Sequence, residues 1–283
     1  MAVQRGGQIR EKVARVRGWI AEYKTVLVAF SGGVDSTLLL KLCRDVLGPA
    51  VSAVTVISPL HAPAEGARAR HIAAELGVRH RELPVDLLAE ERVARNDASR
   101  CYWCKKILFS GMRDMAAQAV VLDGSNASDR ADFRPGVQAA RELGVRSPLQ
   151  EAGLEKEEIR SLSRDFALPT WNVPAQACLA TRFAYGTPLS YAKVAAVAAA
   201  EASVQKILAV PELRLRHHGE TARLEIPPDA FPRLFDPRIR QEVIAAVRKS
   251  GYVYVSCDLA GYRSGSMNEV LNQTEDNPRG GIR

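Results

Sequence analysis

Between Thr25 and Leu149 short apolar runs of strand length alternate with segments of helical period, and this alternation restricts the possible folds more than any other feature of the chain. "TVLVAF" is such a run, "STLLLKLCRDVLG" follows with apolar residues at helical spacing, and "AVSAVTVIS" is strand-like again. "PAEGARARHIAAELG" reads as a helix closed by Gly77, and "VRHRELPV" as the next strand. "WCKKILFSGMRDMAAQ" is helical and "AVVLDGSN" is a buried strand that runs into a polar loop. "VQAARELG" and "VRSPL" then repeat the order of helix, glycine stop and strand. Strands joined through helices run parallel, so the pattern predicts an α/β fold, a parallel doubly wound sheet with helices on both faces. Ligands of such sheets bind beyond the carboxyl ends of the strands.

The pattern changes after the helix and proline-bounded turn of "LEKEEIRSLSRDFALPTWNVP". An alanine-rich helix from Leu189 to Leu208 leads to β-rich "LRLRHHGETARLEIP", the helix "DPRIRQEVIAAVRKSG" and the strand-like "YVYVSCDL". These predict a smaller α+β domain over residues 185–283, after a first domain over 1–184. A chain of 283 residues with 47% hydrophobic content can fill both cores without disulfides. No apolar run approaches the roughly 20 residues needed to span a bilayer, and "MAVQRGGQIREK" lacks an apolar signal core, so a cytoplasmic protein is expected. In a reducing compartment, five unevenly spread cysteines argue for reactive or metal-binding thiols rather than bridges. Cys43 and Cys257 are exceptions, read as small buried hydrophobes. A net charge of +7 favours an anionic partner. The arginines are dispersed and aromatic content is 6%, which favours a small anion over nucleic acid.

The first strand ends in Phe30-Ser31-Gly32-Gly33-Val34-Asp35-Ser36-Thr37 and passes straight into a helix. Two glycines let the backbone turn tightly, and the serines and the helix N-terminus offer donors to phosphate oxygens. The glycine spacing and the missing Lys-Ser or Lys-Thr exclude a Walker A loop, and Gly-x-Gly-x-x-Gly does not occur in this loop. The loop resembles the PP-loop of ATP pyrophosphatases, which grips the pyrophosphate released when ATP adenylates a carboxylate or amide carbonyl. That resemblance implies ATP contacts from Ala29, Ser31, Gly32, Gly33 and Ser36, with Asp35 near Mg²⁺. It also brings Ser58 near the adenine, and Gly124 and Asn126 of "LDGSNASD" to an adjacent strand end.

Cys178 lies in "VPAQACLATRFAYGTPLS", four residues before Arg182. A guanidinium and loop N–H groups beside a thiol favour the nucleophilic thiolate; a buried structural thiol fits the residues equally well. "AFSGGVDSTLL", "DGSNASD", "RPG", "ACLATRF", "LRLRHHGETARLEI" and "LAGYRSGSMNEVL" occur in this order and together resemble the LarE family of PP-loop sulfur transferases. The resemblance covers nearly the whole chain. It implies adenylation of the carboxylates of a pyridinium dicarboxylate mononucleotide and their conversion to thiocarboxylates for a nickel-pincer nucleotide, the lactate racemase cofactor. It makes Cys178 and Arg182 catalytic, and it implies a homo-oligomer. Arg214 and Arg216, two apart on a strand, share a face and under this resemblance hold the substrate phosphate. His217 and His218 face opposite sides and are assigned nothing, and an acidic role at Asp229 is a weaker match.

"RCYWCKK" places Cys101 and Cys104 three apart between basic residues. By themselves they fit a redox pair, half of a zinc site, or part of an iron-sulfur site. Members of the family that carry Cys-x-x-Cys together with the "ACLA" cysteine bind a [4Fe-4S] cluster on three thiolates, which implies a cluster on Cys101, Cys104 and Cys178. In other members the cysteine matching Cys178 itself surrenders its sulfur. Two further readings stand beside this one. A PP-loop tRNA thiolase shares the loop and a three-cysteine cluster, and salt-dependent tRNA binding that stimulates AMP release would support it. An ATP-binding regulator without turnover would form no AMP with any carboxylate.

Overall fold

The computed structural model describes residues 2–131, 135–174 and 177–263, and the chain divides into two compact units, Met1–Gln176 and Ala177–Arg283. The first unit runs α1 (Ala2–Ala21), β1 (Val26–Ala29), α2 (Val34–Leu47), β2 (Val51–Ile57), α3 (Pro63–Glu75), β3 (Arg79–Pro84), α4 (Glu91–Ala94), α5 (Arg100–Ala116), β4 (Val120–Leu122), α6 (Pro135–Glu142), α7 (Pro148–Glu151) and α8 (Lys156–Asp165). Among the described residues its sheet has the order β3-β2-β1-β4, with β1 parallel to both β2 and β4 and β2 parallel to β3. The strand order therefore reverses at β1, the point where open α/β sheets leave a crevice.

Alternation along β1 sends its side chains to two cores. Val26 and Val28 pack with Leu38, Leu39 and Leu42 of α2, Val16 and Ile20 of α1, and Ile159 of α8. Leu27 packs on the other face with Val54, Phe109 and Met112 of α5, and Val121. The helix α1 was not anticipated; its apolar stripe, Val13, Val16 and Ile20, is narrow and surrounded by basic residues. "VRSPL" is not a strand. Arg146 makes one isolated bridge to Leu122, and Pro148 then opens α7, because a proline lacks the N–H that a ladder needs and suits the first helical turn. Cys43 is buried in the α2 core as expected, and burial pushes its thiol up to about 12.

The second unit carries α9 (Tyr191–Leu208), β5 (Arg214–His218), β6 (Thr221–Glu225), α10 (Phe231–Phe235), α11 (Pro237–Lys249) and β7 (Tyr254–Cys257). Ser190 caps α9 by accepting from Lys193 N–H at 3.4 Å, and the helix buries Val194, Val197, Ala200, Val204 and Leu208. Asp236 caps α11 by accepting from the N–H groups of Arg238 and Ile239 at 2.9 and 3.0 Å. β5 and β6 form an antiparallel hairpin and β7 adds parallel to β6. Cys257 is half-buried on β7, and burial, with Asp258 beside it, pushes its thiol up to about 11. Arg134 of the "RPG" motif and the "SGSMNEVL" stretch lie outside the described residues. Among the described residues no helix is long and apolar enough to cross a membrane.

Candidate functional site

The glycine loop begins where β1 stops pairing. Phe30 N–H still donates to Val54 O at 2.8 Å, but the Phe30 carbonyl is captured by the Thr55 hydroxyl at 2.6 Å, and His80 Nε2 lies 2.7 Å from that same hydroxyl. The backbone then swings out through Gly32, whose φ is +68°. A Cβ at Gly32 would sit 3.0 Å from the Ala69 Cα of α3, so this position needs glycine for both conformation and space. Gly33 is the extended N-cap residue of α2. Ser31 Oγ and Ser36 Oγ are 3.1 Å apart. Ser31 N–H donates to Ser36 Oγ and Gly33 N–H to Ser31 Oγ, both at 3.3 Å. These donors and the unpaired amides of the first α2 turn make an anion cradle whose groups bond to one another and can re-aim at phosphate oxygens.

The β4 loop closes one side of this cradle. A Cβ at Gly124 would lie 2.9 Å from Ser36 N, so only glycine permits the contact. Asp123 is buried and turned inward, accepting from Ser125 Oγ at 2.9 Å and Ser147 Oγ at 2.6 Å. Buried Asn126 donates from Nδ2 to Asp35 Oδ1 at 3.2 Å. The other oxygen of Asp35 is paired with the Lys156 ammonium at the start of α8. Lys156 escaped the sequence reading because "LEKEEIR" looks like a solvated charged face, and its partner is 121 positions away. Ser58 lies just past β2, where its hydroxyl accepts from Leu60 N–H at 3.2 Å and stands 2.7 Å from His61 Nδ1.

Cys101 and Cys104 lie in the first two turns of α5, so "RCYWCKK" is also a helix start. Both are half-buried, and the i, i+3 spacing sets them on one face. Buried Arg100 donates from Nη2 to Cys101 Sγ at 3.5 Å and also pairs with Asn96 Oδ1. Among the described residues of the first unit, no third Cys, His, Asp or Glu is grouped with these thiols.

In the second unit, half-buried Cys178 precedes the 3-10 turn Leu179–Arg182. Arg182 is buried and donates to the carbonyl oxygens of Ala177 and Cys178 at 2.9 and 3.4 Å. It also forms a fork with Glu201 of α9, with Nε to Oε2 at 2.9 Å. Its hydrogen bonds thus fix the backbone that presents the thiol. Arg216 forks onto Glu225 at 2.9 and 2.7 Å, and its Nη1 donates to Thr181 O at 2.7 Å, in the same loop. Arg214 pairs with Glu212 at 2.8 Å and lies over the Tyr262 ring, 4.9 Å from its centroid. Both strand arginines are buried. Glu225, 2% exposed, also takes Arg223 at 2.9 Å. Glu201 and Glu225 were missed by sequence reasoning, although the alternating charges of "ARLEI" opposite "RLRHH" were a readable signal for the second. Asp229 is exposed in the turn Pro228–Ala230.

Residues 16–96, which contain the glycine loop and β1 to β3, match the asparagine synthase family. An uncharacterized protein of Synechocystis sp. is 36% identical over 94% of this chain and 100% of its own length. The pyridinium-3,5-bisthiocarboxylic acid mononucleotide synthase of Lactiplantibacillus plantarum is 37% identical over 93% of this chain and 96% of its own length. An uncharacterized protein of Methanocaldococcus jannaschii is 24% identical, with 85% and 92% covered.

Proposed function

Because the chain belongs to the LarE family of PP-loop proteins, we propose that it is an ATP-dependent sulfur transferase. It converts the carboxylates of pyridinium-3,5-biscarboxylic acid mononucleotide to thiocarboxylates, forming AMP and pyrophosphate. The observation that carries this reading is the cradle of Ser31, Gly33 and Ser36 at the head of α2, in a chain aligned almost end to end with a thiocarboxylate synthase.

A carboxylate resists nucleophiles because its oxygen leaves poorly. In the proposed first step a substrate carboxylate oxygen attacks the α-phosphorus of ATP, the bond to the β-phosphate oxygen breaks, and pyrophosphate leaves. Ser31, Gly32, Gly33 and Ser36 hold that pyrophosphate, while Ala29, Ser58, Gly124 and Asn126 line the nucleotide. Asp35 supplies a hard oxygen donor that fits Mg²⁺, and Lys156, which is paired with Asp35 and is released when the ion takes that oxygen, then offsets the negative charge of the phosphates. A thiolate then attacks the acyl carbon and AMP departs with the electron pair. If Cys178 provides the sulfur, removal of its α-proton breaks the Cβ–S bond, leaving a thiocarboxylate and dehydroalanine. The half-buried thiol, on a backbone pinned by Arg182 and Arg216, is suited to that attack.

The soft donors Cys101 and Cys104, one helical turn apart, fit an iron-sulfur cluster in chemistry, with Cys178 of the second unit as the third ligand. A [4Fe-4S] cluster bound there would supply sulfide in place of the Cys178 sulfur. Arg214 and Arg216 take the substrate phosphate in exchange for Glu212 and Glu225, and the second unit carries the contacts of a homo-oligomer. The test is incubation with ATP, Mg²⁺ and the dicarboxylate mononucleotide, followed by mass spectrometry of product and protein. Thiocarboxylate with a protein lighter by H₂S means that Cys178 is spent, and thiocarboxylate with the protein mass intact means external sulfide. Absence of thiocarboxylate from both the apo and the iron-reconstituted protein refutes the assignment.

A further inference from the structure

Ser58, Pro59, Leu60 and His61 form a tight turn past the carboxyl end of β2, closed by His61 N–H to the Ser58 carbonyl at 3.1 Å. Serine at the first position and proline at the second suit such a turn. The Ser58 hydroxyl accepts from Leu60 N–H and lies 2.7 Å from His61 Nδ1. Among the described residues the Ser58 hydroxyl has no side-chain acceptor other than His61 Nδ1, and on that ground we assign Ser58 as the donor and Nδ1 as the acceptor. The neutral ring then carries its proton on Nε2. Burial, with the Lys105 ammonium nearby, drives the His61 pKa down to about 4, which keeps the ring neutral at physiological pH. Nε2 makes no hydrogen bond among the described residues. The turn therefore presents one uncharged, half-buried N–H donor that lacks an acceptor.

Its position selects the kind of acceptor. On the β4 side of the glycine loop, Gly124 packs against Ser36, and Asn126 and Lys156 occupy Asp35. A nucleotide whose phosphates rest on Ser31 and Ser36 therefore directs its base to the β2 side. There Ile57, at the end of a largely buried strand, is 37% exposed, and the His61 turn follows directly. An apolar side chain beside a neutral donor suits a flat heteroaromatic ring with a lone-pair nitrogen. A phosphate would instead favour a protonated imidazole, which burial and Lys105 oppose.

We propose that His61, its tautomer fixed by Ser58, donates its Nε2 proton to a ring nitrogen of the purine base and determines nucleobase specificity. This deepens the ATP reading above and rests on it. Ser58 then acts as a positioning residue, one step removed from the base.

Calorimetric binding of a non-hydrolysable ATP analogue, and of deaza-ATP analogues lacking N1, N3 or N7 in turn, to the full chain tests the assignment. One deaza analogue is expected to bind the wild type about three- to tenfold more weakly, the range for one neutral hydrogen bond. His61→Phe should weaken ATP by the same factor, show no further loss with that analogue, and leave pyrophosphate affinity unchanged. Ser58→Ala should give a smaller loss. Unchanged ATP affinity in His61→Phe, or three deaza analogues that bind the wild type like ATP, overturns the proposal. If His61→Phe does not fold, the analogue series on the wild type decides alone. A wild type that binds no ATP overturns the nucleotide reading as well, whereas normal ATP binding that is insensitive to both changes overturns only the role of His61.

Discussion

The glycine loop of the first unit and the arginine-rich hairpin of the second are both suited to anions, yet they hold charge in opposite ways. The loop offers uncharged donors, the amides at the head of α2 and the hydroxyls of Ser31 and Ser36, and its Asp35 is balanced by Lys156. The hairpin and the Cys178 turn offer full charges, and each carries a carboxylate: in the turn Arg182 has Glu201, and in the hairpin Arg214 has Glu212 while Arg216 and Arg223 share Glu225. Neutral dipoles need no counter-charge before a ligand arrives, whereas a buried guanidinium does. The loop is therefore an anion site in waiting. The arginines first stabilise their own unit, and an arriving phosphate must compete with glutamates at about 2.7–2.9 Å.

The contrast breaks most visibly at Glu225. Glu225→Ala leaves Arg216 and Arg223 without their shared partner, and a loss of about 3–5 kcal/mol is expected in urea unfolding, the usual cost of orphaning a buried charge. A loss below about 1 kcal/mol would mean that the arginines find water, and that the hairpin resembles the loop after all. At the loop, Gly124→Ala pushes a methyl group into the first turn of α2 without changing any charge. Overpacking of this kind costs about 1–3 kcal/mol, which, borne by the cradle, reads as a roughly five- to 150-fold fall in nucleotide affinity by calorimetry; unchanged affinity would show that the cradle tolerates a shifted helix start.

The smallest expected effect is acid sensitivity, which the two units share. Burial is the largest cause lowering the pKa of His61 and His80 in the first unit and of His217 and His218 in the second. For a histidine depressed on folding, the unfolded state binds the extra proton. The stabilising contribution is complete above the unfolded value near 6.5 and is lost as pH falls toward the folded one. For His61, with a folded pKa of about 4, about 1 kcal/mol should go between pH 7 and 5.5. Denaturation midpoints across that range check it, with His61→Gln flattening the slope.

Much of this architecture was legible because it is written in neighbouring residues. The runs from "TVLVAF" to "VRHRELPV" gave strands and helices that the fold keeps in that order, and "SGGVDS" announced a turn at a strand end. "VRSPL" has the flanks of a strand, but Pro148 starts a helical turn there, and α1 is hidden in the sequence by the charges around its apolar stripe. Arg214 and Arg216 were located by alternation, but the carboxylates that occupy them were not.

The sequence by itself determined most of the order of the elements and the glycine loop at the head of α2, because each depends on periodicity or turn chemistry within a few residues. Only the tertiary structure decided that Lys156 meets Asp35, that Glu201 and Glu225 hold the arginines beneath the Cys178 loop, and that Gly124 abuts Ser36. Those pairings join positions between 9 and 121 residues apart. Packing of the two cores selects the distant pairs, and apart from the charge alternation of the β5–β6 hairpin that hints at Glu225, no local pattern specifies which of many charged side chains becomes the partner.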